Sequence, residues 1–87
     1  MRDFADLERR FTELLEQSSP PLTHSEQREV RHFVDHGEYG VALETLVDIF
    51  VEQAKVPTDT IVSAIVALAN RMSMDTQPIL DRLTQST

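Results

Sequence analysis

The stretch from Glu38 to Ala54 leaves little choice about what it folds into. Among its apolar residues, Tyr39, Ala42, Leu43, Leu46, Val47, Phe50 and Ala54 follow one another at steps of 3, 1, 3, 1, 3 and 4. That is the period of an α-helix, and it excludes the strict alternation of a half-buried strand. The stripe is wide enough to bury against more than one neighbour. We read a helix over 38–54, and the rest of the chain must supply what covers it.

The same period recurs on both sides. Phe4, Leu7, Phe11, Leu14 and Leu15 step by 3, 4, 3 and 1, which predicts a helix over 3–17. Asp3 and Asp6 fall in its first turn, where the helix dipole favours anions. Ser18-Ser19-Pro20-Pro21 ends it, because proline has no N–H for the next backbone bond. Thr23-His24-Ser25-Glu26 has the T-x-x-E form of a capping box. Val30, Phe33 and Val34 then share one face, so a second helix covers 24–36. Gly37 suits the left-handed position after a helix end. It alone separates the second and third helices, so the chain turns sharply there. Gly40, in the first turn of the third helix, either admits a second backbone or simply eases the turn.

Beyond Val56-Pro57, Thr58 or Asp59 can cap a fourth helix over 59–73. The run Ile61–Ala69 contains only Ser63 as a polar member. Its β-branched content suits a strand, but its length, its alanines and the preceding cap favour a helix. A helix apolar nearly all round is buried on several sides. We expect helices one, three and five to enclose it, with a homodimer formed through it as the alternative. Ile61, Val62 and Val66 should point away from Ile65, Leu68 and Met72. Asp75 can cap a last short helix that carries Pro78 in its first turn and Ile79, Leu80 and Leu83 on its apolar face. The end, Thr84-Gln85-Ser86-Thr87, should fray. Residues 1–87 therefore read as one all-α domain, a compact four- to five-helix bundle. Leu43, Leu46, Phe50, Ile65 and Leu68 are its expected core.

Charge narrows the function classes. Fifteen acids face eight bases, for a net charge of −7. A nucleic-acid binder needs a basic patch to neutralise phosphates, and this chain repels them. A membrane-surface helix needs Lys and Arg on its polar face, yet Lys55 is the only lysine. No apolar run approaches the ~20 residues that span a bilayer. The N-terminus is amphipathic from the start and lacks a signal-peptide core. The expected address is the cytoplasm. A strongly acidic domain attracts basic partners by long-range steering.

Catalytic and metal-binding patterns are weak. Cysteine is absent, and the two glycines, Gly37 and Gly40, form no phosphate-cradling loop. No serine lies in a G-x-S-x-G elbow. His32 and His36 are spaced i,i+4, as in a helical metal pair, with Glu29 as a conceivable third ligand. The simpler reading is two surface histidines near a helix C-terminus, where positive charge is favourable. We expect no enzyme activity, no metal and no cofactor.

The most informative charges are local. Asp35, Glu38, Glu44, Asp48 and Glu52 occur between Asp35 and Ala54 with no Lys or Arg among them. Glu44, Asp48 and Glu52 recur at i,i+4 and line one helix face, where like charges repel by a few tenths of a kcal/mol per pair. Elsewhere acids and bases interleave, as in Glu8-Arg9-Arg10 and Arg31 with Asp35. The acidic face of the third helix is therefore either a partner-binding surface, or one that is solvated or paired internally with Arg28, Arg31 or Arg71.

One segment looks less generic. His36-Gly37-Glu38-Tyr39-Gly40-Val41-Ala42-Leu43-Glu44-Thr45-Leu46 resembles the segment G-E-Y-G/x-x-A-L-E-x-L that joins two helices in the MafI family of small bacterial immunity proteins. The likeness runs from about Arg28 through Glu52 and continues weakly into Ala69-Asn70-Arg71-Met72-Ser73-Met74. The resemblance implies an antitoxin encoded beside a secreted polymorphic toxin, often a nuclease, which it binds and blocks in the cytoplasm. It also implies that the recurring residues Gly37, Tyr39, Gly40, Ala42, Leu43 and Glu44 serve the fold, with Glu44 buried or half-buried. Asp48 and Glu52, with Asp35 and Glu38, are then the candidate toxin contacts. The expected partner is a basic, nuclease-like toxin domain; we expect the chain itself to be a monomer. The alternative function is a helical adaptor or regulatory subunit that assembles a complex through its apolar fourth helix.

Overall fold

The computed structural model describes residues 4–18 and 21–85. Over that span the chain forms five α-helices joined by short turns: α1 (Phe4–Gln17), α2 (His24–Asp35), α3 (Tyr39–Glu52), α4 (Asp59–Arg71) and α5 (Gln77–Gln85). No strand occurs among the described residues. The expectations for Asp3 in the first turn, for Ser19-Pro20 in the helix stop and for fraying at Ser86-Thr87 lie outside the described residues. α5 itself continues through Gln85, and the Thr84 hydroxyl donates to the Leu80 carbonyl at 2.9 Å.

The helix starts follow the capping residues. Glu26 N–H donates to Thr23 Oγ1 at 3.1 Å, and Thr23 N–H donates to Glu26 Oε1 at 2.9 Å. Both halves of the capping box are made, so two N–H groups that the helix leaves orphaned are satisfied. Thr58, rather than Asp59, caps α4 by accepting from Ile61 N–H at 3.4 Å. Asp75 Oδ1 accepts from Gln77 N–H at 3.1 Å at the start of α5.

Three helices end in the same way. After α2, Gly37 N–H reaches the Val34 carbonyl and Glu38 N–H reaches the Phe33 carbonyl, at 3.0 and 2.8 Å. After α3, Ala54 and Lys55 make the equivalent bonds to Val51 and Phe50, and after α4, Ser73 and Met74 make them to Asn70 and Ala69. This paired pattern is the Schellman motif, and it needs a left-handed residue at its centre. Gly37, Ala54 and Ser73 hold that conformation, with φ of +73°, +53° and +59°. Ala54 therefore belongs to the cap and is exposed, not to the apolar stripe. α3 stops at Glu52 and α4 at Arg71, two residues before the periodicity suggested, because the left-handed turn breaks each helix there.

α3 lies at the centre of the bundle. Ala42, Leu43, Leu46, Val47 and Phe50 are fully buried, and Val30 of α2, Phe11 and Leu15 of α1, and Ile65 and Leu68 of α4 pack with them in one core. The link between α2 and α3 is three residues, His36, Gly37 and Glu38, rather than Gly37 alone, because His36 caps α2 and Glu38 caps α3; it folds α2 back along α3. α4 meets α1, α3 and α5, the three neighbours expected to enclose it. Its Ile61 is buried in the core with Ile65 and Leu68 instead of pointing away, because i and i+4 share a helix face. Val62 and Val66 are half-buried, and the outward positions hold Ser63, Ala64, Ala67 and Asn70. The apolar character of the far side of α4 is thus alanine, whose small side chain covers little and favours helix. No helix among the described residues is long and apolar enough to cross a membrane.

Candidate functional site

The bases are drawn away from α3. Asp6, in the first turn of α1, accepts from Arg9 at 2.6 Å and from Arg10 at 3.0 Å, and Arg71 at the end of α4 approaches it at 2.6 Å. The Arg10 hydrogen bond, followed by Arg9 and the charge of Arg71, holds the Asp6 carboxyl below its ordinary range despite partial desolvation. Lys55 is held by Glu26 at 2.7 Å. Arg82 of α5 is held by Asp48. Five of the eight Lys and Arg residues (Arg9, Arg10, Arg71, Lys55 and Arg82) are therefore engaged in ion pairs within the bundle. Only the last of these faces the acidic stripe.

The candidate toxin contacts divide accordingly. Glu52 is exposed at the end of α3, and Asp35 and Glu38 are exposed around the Gly37 turn. None of these three makes an ion pair among the described residues. Glu38 does structural work only through its backbone, which donates to Phe33 and accepts from Ala42 at 2.9 Å. Asp48 is only half-exposed and is the one acid of the stripe with an ionic partner. That partner is Arg82; no pairing of the stripe with Arg28, Arg31 or Arg71 forms among the described residues, and Arg31 does not pair with Asp35. Helix period alone could not identify Arg82, which lies 34 residues away and arrives only because α5 packs on α3.

Glu44 corrects the expectation that it is buried. It is exposed and unpaired among the described residues, because its position on α3 faces the same side as Asp48 and Glu52. Among the other segment residues, Ala42 and Leu43 are core, and Gly37 provides the left-handed cap. Gly40 does not admit a second backbone: a Cβ built there meets nothing within 4 Å. Tyr39 is half-buried, stacks with both Phe4 and Phe11 at centroid distances of 5.6 and 6.3 Å, and donates its hydroxyl to Glu8 Oε2 at 2.9 Å. Burial, with Glu8 adding to it, pushes the Tyr39 hydroxyl above its ordinary value.

The histidines form a local arrangement. The rings of His32 and His36 lie 4.5 Å apart, and His36 Nδ1–H donates to the His32 carbonyl at 2.7 Å. Among the described residues no group of three or more His, Asp or Glu side chains is placed to hold a metal ion. An open groove of about 120 Å³ runs between α1 and α4, with Leu14, Ile61 and Leu68 on its floor and Arg10, Glu13 and Gln17 on its rim. It is well below the ~300 Å³ at which small-molecule sites begin.

Glu44 and Glu52 of α3, and Asp35 and Glu38 around the turn before it, thus stay exposed and without an ion pair among the described residues, on either side of the neutralised Asp48. Compared with family models, curated proteins and solved structures, the chain matches none.

Proposed function

We propose that this chain is an immunity protein that neutralises a basic toxin domain by stoichiometric binding, without enzymatic activity, in the cytoplasm of the cell that makes it. The observation that carries the reading is Glu44 and Glu52 on one face of α3, together with Asp35 and Glu38 around the turn before it, all exposed and free of ionic partners among the described residues. A solvated helix ordinarily places bases at i,i+4 to its acids; here five of the bases are engaged elsewhere or on Asp48. Opposite a basic surface the repulsion along the row turns into attraction, and the net charge of −7 accelerates encounter. A nuclease presents such a surface in its substrate groove. The resemblance to the MafI segment points the same way. α4 supports the adaptor reading less well, since its large side chains turn inward and its outer positions are small.

The test is co-expression with the toxin domain encoded next to the gene. Wild-type chain should rescue growth and co-purify at equal stoichiometry. Glu44→Lys with Glu52→Lys moves the net charge from −7 to −3 and leaves the Asp48–Arg82 pair in place. This variant should stay folded, since exposed charges contribute under ~1 kcal/mol, and should bind the toxin more weakly and with a flatter salt dependence. Full protection by the folded double variant sinks the assignment of this face.

A further inference from the structure

Three aromatic rings form a stack that begins in the core and ends in solvent. Phe11 is 1% exposed, Tyr39 is half-buried against it, and Phe4 also stacks on Tyr39 with 46% of its own surface open. The Phe4 and Tyr39 rings are inclined by only 21°, so the pair is nearly parallel, and the Phe4 ring remains largely open to solvent. Glu8 lies one turn from Phe4 on the same face of α1. The Tyr39 hydroxyl fixes Glu8 Oε2 at 2.9 Å. Glu8 Oε1 has no partner among the described residues, so the carboxylate is held in place with one oxygen open.

An exposed ring beside an oriented carboxylate is a complete receptor for one kind of group. A guanidinium is planar, stacks on an aromatic face and forks to carboxylate oxygens, whereas an ammonium is a compact charge that does only part of this. The neighbouring exposed Glu38 adds negative potential at the rim. Val41 and Val56, the other exposed large apolar residues among those described, offer no ring for a cation to stack on. We propose that the Phe4–Tyr39–Glu8 platform seats an arginine side chain of a basic protein partner. The proposal rests on the reading of the chain as a binder of a basic protein, and it names the anchor that the acidic row on α3 alone does not supply. Long-range attraction comes from the row; residence comes from the stacked, hydrogen-bonded arginine.

Tyr39 is the only tyrosine and tryptophan is absent, so intrinsic emission reports this platform alone. The experiment titrates the protein with oligoarginine and oligolysine peptides of equal length and follows Tyr39 emission, with anisotropy of the labelled peptides in parallel. Oligoarginine should bind about two- to fivefold more tightly than oligolysine, the ratio an exposed cation–π contact supplies. Phe4→Ala and Glu8→Gln should each erase that preference. Phe4→Leu, which keeps apolar bulk but no ring, should do the same with helicity unchanged. Glu44→Lys with Glu52→Lys should weaken both peptides alike and keep the ratio. Equal affinities in wild type, or a preference that survives Phe4→Leu and Glu8→Gln, overturns the platform. A chain that neutralises its toxin without arginine preference overturns the platform alone. A chain with the preference that neutralises no toxin leaves the platform standing and overturns the immunity reading.

Discussion

Lys55 donates its ammonium to Glu26 Oε1 at 2.7 Å, tying the exit of α3 to the capping box that opens α2. The same ammonium also donates to the Pro21 carbonyl at 2.9 Å. One largely buried side chain thus joins the connection before α2 to the segment after α3. Lys55→Met removes both bonds but keeps the aliphatic stem. It should lower stability by about 1–2 kcal/mol, as the loss of a charge-assisted hydrogen bond does. Urea denaturation with an unchanged m-value would verify this, and a difference near zero would show that the link is solvated.

Acid should destabilise the fold through two carboxyls. The Lys55 hydrogen bond holds Glu26 below its ordinary value of 4.5, and the arginines hold Asp6 below 3.8. Both folded-state values are depressed, so the unfolded chain binds more protons in acid. Their contribution is complete above the ordinary values and is lost as pH falls through the folded ones. Thermal melts should show a midpoint that is flat in pH above about 5.5 and falls below it. In Lys55→Met the fall should be shallower.

The three helix ends differ in the residue that takes the left-handed turn. Ala54 meets a steric penalty of roughly 1–2 kcal/mol in that conformation, which glycine avoids. Ala54→Gly should therefore stabilise the protein by about 0.5–1 kcal/mol. Gly37→Ala should cost about 1 kcal/mol even though a Cβ there meets no atom within 4 Å. Gly40→Ala, inside a helix and with space for the methyl, should stabilise by about 0.5–1 kcal/mol. A denaturation midpoint that falls in Ala54→Gly or rises in Gly37→Ala would contradict the cap assignment.

Leu46 is fully buried at the centre of α3. Leu46→Ala deletes methyl groups and leaves a cavity, at a cost of about 2–5 kcal/mol. Domains of this kind have about 5–15 kcal/mol in all, so the variant should melt far below wild type or be partly unfolded at room temperature. Circular dichroism melts measure this directly.

Arg82 competes with any basic partner for Asp48. Both side chains are half-exposed, so their pair adds under ~1 kcal/mol to stability. Arg82→Ala frees Asp48 and takes the net charge from −7 to −8. Binding to the toxin domain should tighten, chiefly through faster association. Weaker binding would mean that Arg82 itself touches the partner.

The helices and their starts were legible because they depend on neighbours in sequence. The i,i+3,i+4 stripes of α1 and α3 and the Thr23-x-x-Glu26 box are set by residues within one or two turns. The exposure of Glu44 follows from the same period, since Glu44, Asp48 and Glu52 share a face, although the MafI-like segment implies burial. Ile61 was misplaced because counting alanine with the large hydrophobes hid which side of α4 is heavy. The anchors at Glu8–Tyr39 and Asp48–Arg82 left no signal at all. They join residues 31 and 34 positions apart, and nothing in a local pattern says which helices become neighbours.

The chain by itself determined that it would be helical, where its helices begin to within a residue or so, that Leu43, Leu46, Phe50, Ile65 and Leu68 would be core, and that it would carry a net charge of −7. These follow from short-range hydrogen bonding, from side-chain period and from simple counting. Tertiary packing decided which charges are spent. By placing Arg71 on Asp6, Lys55 on Glu26 and Arg82 on Asp48, it left Glu44 and Glu52 without counter-ions among the described residues and set Phe4 on Tyr39 at the surface. A charge acts on a partner only through what its folded neighbours leave unneutralised, and that depends on distances of a few ångströms between segments far apart in the chain.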